Sequence, residues 1–509
     1  MKKLKTFIKE VFSVHKIPFL VLGALNLLLF LYTIKSDDVK HIKIAIFALF
    51  GFILLEFSLL LVYHFLKEKK HFPLEKIFLF LAIPLGLLQV FITPFNQLPD
   101  ELVHIFRTYD ISDGHLVSTK NEEGHYRTKI SKTYWDVLNN GQGDSNYYKK
   151  VAKDIFAPTS EEKWGWDFDN AATYHSLAYA PQVTGVAAGK FVRLPIVLTM
   201  YLGRIFALAA FIAVIYFAIK LTPKYKEFFV LFALLPMSLQ QGMAYSADSV
   251  LIAFCFLLIA LAIKYAYGSD KTLSKKQITA LYVVTAVVSC VKHLAYLPLG
   301  LLFMLIPAKK FGSAKKKYLH LFLIVVLCVA LEFIWSNMQD KSVVAAATTE
   351  AEALPAYSFI KFIIVSFAMI FGVRTEELMK STVGTNISYN NFSTPSIIYV
   401  YLFIGLVAVM ILRSSEKLVL KKYDKLIFCL TPIILSLAFY YAATYQWNFR
   451  SETTISGIQG RYYLPFLTLI PFIAHHEKKN ATPLKVDYVF YFAIFSNCCI
   501  LALKMLHNL

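Results

Sequence analysis

The chain has 509 residues, 57% of them hydrophobic, with positive mean hydropathy and a formal net charge of +19. A soluble protein of this length cannot bury that much apolar surface, which leaves an all-α polytopic membrane protein. The excess positive charge sits in short clusters between apolar runs, as in cytoplasmic loops, so no nucleic-acid partner is expected.

Residues 1–16 are basic and lack a small-residue cleavage site, which predicts a retained first span. Apolar runs predict spans at 17–34, 42–66, 77–92, 196–221, 228–243, 250–265, 278–291, 294–306, 319–335, 397–412, 426–441, 462–473 and 489–503. Basic clusters at 1–16, 67–76, 220–226, 264–276, 309–317, 413–425 and 478–485 set the orientation. With the N-terminus inside, every cluster falls on the cytoplasmic side, giving about thirteen spans and an external C-terminus. Residues 277–307 are flanked by basic clusters at both ends, so two short limbs with an apex at Lys292-His293 fit better than one crossing. A full crossing at 359–373 would break the parity of everything after it. A re-entrant or surface-lying helix is expected there.

Two long loops are then external, 98–193 and 336–395, within a single membrane domain. The six cysteines lie in apolar segments, and none has metal-site spacing with histidine. No HExxH, GxSxG or Gly-rich phosphate loop is present, so no resident metal or nucleotide is expected.

The large loop opens with Pro99-Asp100-Glu101. Asp100, His104 and Arg107 follow at helical spacing and share one face. A carboxylate, an imidazole and a guanidinium at a membrane boundary suit acid–base chemistry, with Asp100, Glu101 and His104 as catalytic candidates. The plainer alternative is that the acids only stabilise a helix start. Arg204 lies roughly 12 Å into its span at 1.5 Å per residue. A charge there costs at least ~2.5 kcal/mol unless paired or facing a wet cavity, so it reads as a phosphate or carboxylate partner. Asp248, Lys292, His293, Gln459, Arg461 and Tyr462 fall on the same external face, and together with Arg107 and Arg204 they are candidate substrate contacts. For Asp248 a helix cap is the competing role, and for Arg461 an interface anchor. The tryptophan and aspartate clusters at 134–136 and 164–169 suit either sugar stacking or folding of the loop against the membrane.

The stretch from Pro99 to His115 resembles the opening motif of a bacterial membrane family of unassigned function grouped with the GT-C glycosyltransferases. Ile458-Gln459-Gly460-Arg461-Tyr462-Tyr463-Leu464-Pro465 resembles that family's late motif. Tyr174 to Pro181 resembles its middle segment, except that His175-Ser176 replaces a proline pair. The resemblance implies a GT-C-like multispan fold in a bacterial plasma membrane, with a catalytic acid in the first external loop. It implies transfer of a sugar from a polyprenyl-phosphate donor to an extracytoplasmic glycan or lipid-linked glycan acceptor. Asp100 matches the position of the base. A single-phosphate donor calls for no metal, whereas a diphosphate donor often requires a divalent ion. The alternatives are a polysaccharide polymerase or ligase using diphosphate-linked oligosaccharides, and a lipid-linked-sugar flippase. A flippase should show internal repeats, and none is visible.

Overall fold

The structure, a computed structural model, describes residues 2–35, 42–139, 147–269, 271–339, 358–372, 375–384, 396–446, 455, 457–476 and 484–507. Much of the expected 336–395 loop and most of the 478–485 basic cluster lie outside the described residues.

The chain opens with α1 (Lys2–Lys35) and α2 (Ile42–His64), followed by a π-helical turn at Phe65–Lys69 and by α3 (Leu74–Ile92). After α4 (Glu101–Ser112) it builds a small unit from β1 (Arg127–Ser131), α5 (Lys132–Asn139), α6 (Tyr147–Asp154), β2 (Lys163–Asp167) and α7 (Asp169–Ala172). Next come α8 (Ala180–Phe191), α9 (Ile196–Leu221), α10 (Lys226–Ala233), α11 (Pro236–Met243), α12 (Asp248–Tyr267) and α13 (Lys275–Val291). A 3₁₀ helix, Leu297–Leu305, leads to α14 (Ala314–Met338), α15 (Phe359–Phe371), α16 (Thr375–Val383), α17 (Ser396–Leu412) and α18 (Lys422–Gln446). A 3₁₀ turn, Gly460–Tyr463, continues into α19 (Leu464–Leu467) and α20 (Ile470–Ile473), and the last helix is α21 (Asp487–His507).

Among the described residues, seven helices are long and apolar enough to cross a membrane: Ile46–Lys69, Leu74–Ile92, Ile196–Leu221, Asp248–Tyr267, Ala314–Met338, Lys422–Thr444 and Asp487–Met505. Two of them form the centre, since 83% of the Asp248–Tyr267 window and 89% of the Asp487–Met505 window are buried inside the protein. Ala314–Met338, at 17%, lies at the periphery.

The other expected spans take different forms, and proline accounts for three of them. The run at 228–243 is split into α10 and α11, because Pro236 has no N–H to carry the helical ladder and is instead suited to a first turn. The run at 294–306, with Pro298, returns as a 3₁₀ helix. The run at 462–473 breaks into a 3₁₀ turn and two one-turn helices, with prolines at 465 and 471. Run 17–34 lies within α1, while 278–291 and 397–412 lie within the 17-residue α13 and α17. The 13 residues of α15 rise only about 20 Å, less than the ~30 Å hydrocarbon core.

The hairpin at 277–307 is real in outline. His293 and Leu294 turn the chain with φ of 45° and 62°, and the limbs meet where the Leu273 N–H donates to the Lys310 carbonyl at 2.8 Å. Ion pairs tie basic clusters to one another: Lys226 to Glu75 and Lys224 to Glu416, each at 3.1 Å. These links gather the 67–76, 220–226 and 413–425 clusters at one end of the bundle.

The unit between α4 and α8 departs from an all-helical fold. Strands β1 and β2 pair antiparallel, Arg127 opposite Asp167 and Ile130 opposite Trp164. Trp164 and Trp166 are two residues apart, so they share a strand face, and both pack on Trp135 at 6.2 and 5.5 Å between ring centroids. Asp167 pairs with Arg127, and Asp169 accepts from the Tyr126 N–H. The tryptophan–aspartate clusters therefore fold this unit. It is fixed to the bundle where Trp335 donates to the Thr173 carbonyl at 2.8 Å.

Candidate functional site

Helix α3 stops because Pro94 pushes Thr93 into an extended conformation (ψ 115°). The turn that follows ends at Asp100, the residue before α4, which adopts the left-handed region at φ 64° and ψ 5°. Aspartate tolerates this region better than most residues, yet such a conformation costs on the order of 1 kcal/mol or more and persists where its surroundings impose it. Its side chain makes no capping bond to α4. The helix-cap role weighed against catalysis is thus not the one Asp100 performs.

The Asp100 side chain, 41% exposed, instead meets Arg461, whose guanidinium lies 3.3 Å from its carboxylate and also donates to the Pro99 carbonyl. Arg461 is buried, and its Nε lies 2.8 Å from Asp248. The other Asp248 oxygen accepts from Lys292 Nζ at 2.9 Å. Asp248 is the first residue of α12 and its cap is Ala247, so the aspartate's side chain serves the two cations rather than the helix end. Lys292 lies over the Tyr174 and Tyr462 rings at 5.3 and 4.7 Å. Asp100, His104, Tyr174, Lys292, Arg461 and Tyr462 line one partly open cavity. It measures about 90 Å³, enough for the reacting end of a ligand rather than the whole of a large one.

Four elements far apart in sequence converge here: the turn before α4, the start of α12, the end of α13 and the 3₁₀ turn. Lys292 terminates α13, where the chain turns back through positive φ. Arg461 sits in a 3₁₀ turn clamped by Gly460: its N–H donates to Ser381 Oγ, its carbonyl accepts from Thr382 Oγ1, and a Cβ there would meet the Leu378 carbonyl at 2.2 Å. Only glycine allows that approach. His293, also lining the cavity, is held by Glu332 at 2.8 Å.

His104 is buried and paired through Nδ1 with the Tyr179 hydroxyl at 2.6 Å. Burial pushes its pKa down to about 4, against the pull of Asp100 and Asp248. The unfolded chain therefore binds this proton first as pH falls, so His104 withdraws stability between about pH 6.5 and 4. His104→Gln should flatten the acid limb of thermal stability in detergent over that window relative to wild type. An unchanged difference curve would show that His104 titrates normally.

Four of the expected site residues sit elsewhere. Glu101 and Arg204 form a fully buried pair at 2.7 Å. Glu101 also accepts from the Asn96 N–H, while Arg204 donates to the carbonyls of Val90, Thr93 and Pro94. Arg204 thus satisfies the unpaired carbonyls at the end of α3, and its depth is explained by Glu101 rather than by a ligand phosphate. The same geometry gives Glu101 a folding partner in place of the catalytic role expected of it. Arg107 is buried too, pairing with Asp110 and donating to the carbonyls of His115 and Leu116, so it shapes the turn after α4 rather than facing the cavity. Gln459 precedes the 3₁₀ turn, its carbonyl accepting from the Tyr462 N–H, and is not among the cavity residues.

Residues 83–470 match a family described as predicted membrane protein (DUF2142). The chain belongs to that family. The match takes in the whole of the cavity and both ends of the Asp100–Arg461 pair, while α1, α2 and α21 lie outside it. No curated protein and no solved structure matches the chain.

Within this DUF2142 site, sequence reasoning missed Tyr174 and Tyr296. Tyr174 stands at the head of the middle motif segment, a signal that could have marked it. Tyr296, which donates to the Tyr462 carbonyl at 3.0 Å, had none.

Proposed function

We propose that the protein is a membrane glycosyltransferase of the GT-C type, moving a sugar from a polyprenyl-phosphate donor to an extracytoplasmic cell-surface glycan acceptor. The observation that carries this reading is a strained, half-exposed carboxylate, Asp100, sharing a cavity with a buried cation, Arg461, and a part-buried one, Lys292, that Asp248 aligns. A lipid-borne donor must react at the membrane boundary, because its carrier stays in the bilayer. An accessible base beside a phosphate clamp is what that reaction needs.

In this mechanism Lys292 and Arg461 hold the donor phosphate. Asp100 takes the proton of the acceptor hydroxyl, the acceptor oxygen bonds to the anomeric carbon, and the bond from that carbon to the phosphate oxygen breaks. The electron pair leaves on the phosphate. Asp100 loses its negative charge as the phosphate gains one, so Arg461 exchanges one anionic partner for another and the net charge of the site is constant. A single displacement of this kind inverts the anomeric centre. The small volume of the cavity suits the sugar–phosphate junction, with the prenyl chain and the glycan outside.

Arg461→Gln should raise the donor KM by about 10- to 100-fold, the range for losing a hydrogen bond to a charged group, while the protein still elutes as a folded species. Arg461→Lys, which keeps the charge but not the fork, should fall between. Unaltered donor kinetics in folded Arg461→Gln would make this residue an anchor and remove it from the mechanism.

A further inference from the structure

A second cavity, of about 910 Å³, opens between α1, α17 and α21, outside the catalytic site. Its size is at the upper end of small-molecule pockets. Its walls are apolar, with Ile17 and Val21 from α1, Leu402 and Leu406 from α17, and Phe492 and Phe495 from α21. At one end the character reverses, and Lys16, Lys67 and Lys485 line it together with Glu68 and Asp487. Lys67 is bound to Asp487 at 2.9 Å and Glu68 at 3.1 Å. Lys16 and Lys485 are exposed, and among the described residues neither has an acidic partner. Three lysines against two carboxylates leave this end with one positive charge, the complement of one phosphodiester.

The polar end is also rigidly built. It rests on the π-helical turn Phe65–Lys69, a rare geometry that tends to mark functional positions. Behind it His15, buried, joins the Tyr491 hydroxyl through Nδ1 and His64 through Nε2 at 2.9 Å, while the Tyr63 hydroxyl donates to Asp487 at 2.9 Å. Tyr491 and Asp487 both face the cavity, so these bonds hold its lining in place. Basic pockets between membrane helices, with apolar walls leading away from them, are where acidic lipid headgroups bind.

We propose that this cleft is a discrete site for an anionic glycerophospholipid, with its phosphate against Lys16, Lys67 and Lys485 and its acyl chains along α17 and α21. The helices α1 and α21 that supply most of it lie outside residues 83–470, so the site belongs to the segments flanking the family match. It is independent of the catalytic reading.

The test is native mass spectrometry of the purified full chain in detergent, titrated with phosphatidylglycerol, phosphatidylcholine or inorganic phosphate. One phosphatidylglycerol should be retained in preference to phosphatidylcholine. Lys16→Gln/Lys485→Gln should weaken it by roughly tenfold or more, since each surface lysine contributes to attraction of an acidic lipid. Both lysines are exposed, so the double variant should fold. Leu406→Trp, which fills the apolar wall and leaves every lysine in place, should also reduce retention. Equal retention of phosphatidylcholine, or phosphatidylglycerol binding unaffected by either variant, would overturn the site. Inorganic phosphate displacing the lipid at equal concentration would overturn the role of the apolar walls.

Discussion

Arg204→Ala should destabilise the protein by about 3–5 kcal/mol, the usual consequence of leaving one member of a buried ion pair alone. Both side chains of the Arg204–Glu101 pair are fully buried, so Glu101 is left as a buried carboxylate without its counter-charge. The carbonyls of Val90, Thr93 and Pro94 lose their donor in the same step. Because these groups form the turn that delivers Asp100, activity should fall together with stability. Glu101→Gln should destabilise as well, since its amide oxygen can accept from Arg204 but its NH₂ then faces the Asn96 N–H and the buried guanidinium loses its counter-charge. Thermal unfolding in detergent separates the two accounts. An Arg204→Ala protein that melts with wild type and loses only donor affinity would return Arg204 to the role of a phosphate ligand.

Much of this architecture was legible in the sequence because hydropathy reports burial from water directly. The run 196–221 is a single helix over the same residues, and 250–265 falls inside α12. Hydropathy is blind to the backbone, however, and the runs holding Pro236, Pro298, Pro465 and Pro471 broke into shorter pieces. The convergence of Asp100, Asp248, Lys292 and Arg461 was legible for another reason. Basic clusters imply one topology, and that topology puts all four on one face, where the structure finds them in contact. Depth alone misled for Arg204, because a buried cation awaiting a ligand and one already paired look the same until Glu101, 103 positions earlier, is seen beside it. Arg107 misled similarly: its helical spacing from Asp100 and His104 was right, but its partners are the carbonyls of the next turn.

Asp100→Asn should lower the rate of sugar transfer by about 10²–10⁴, the range for losing a general base. The amide keeps the size of the carboxylate and tolerates the left-handed backbone as aspartate does, so the turn into α4 should survive. What it cannot do is accept the proton of the acceptor hydroxyl. Arg461 loses one charged partner but keeps Asp248, so donor binding should persist. The expected signature is a fall in kcat with little change in the donor KM, which a structural role would not produce.

The most direct measurement is sugar transfer from a purified polyprenyl-phosphate donor in detergent-opened membranes, comparing membranes with wild-type protein, with Asp100→Asn and without the protein. Opening both faces removes any need for a flippase, so only a transferase remains required. The account predicts transfer that depends on the protein and nearly vanishes with Asp100→Asn. Wild-type transfer by Asp100→Asn would contradict the catalytic assignment, and equal transfer without the protein would contradict the enzyme itself.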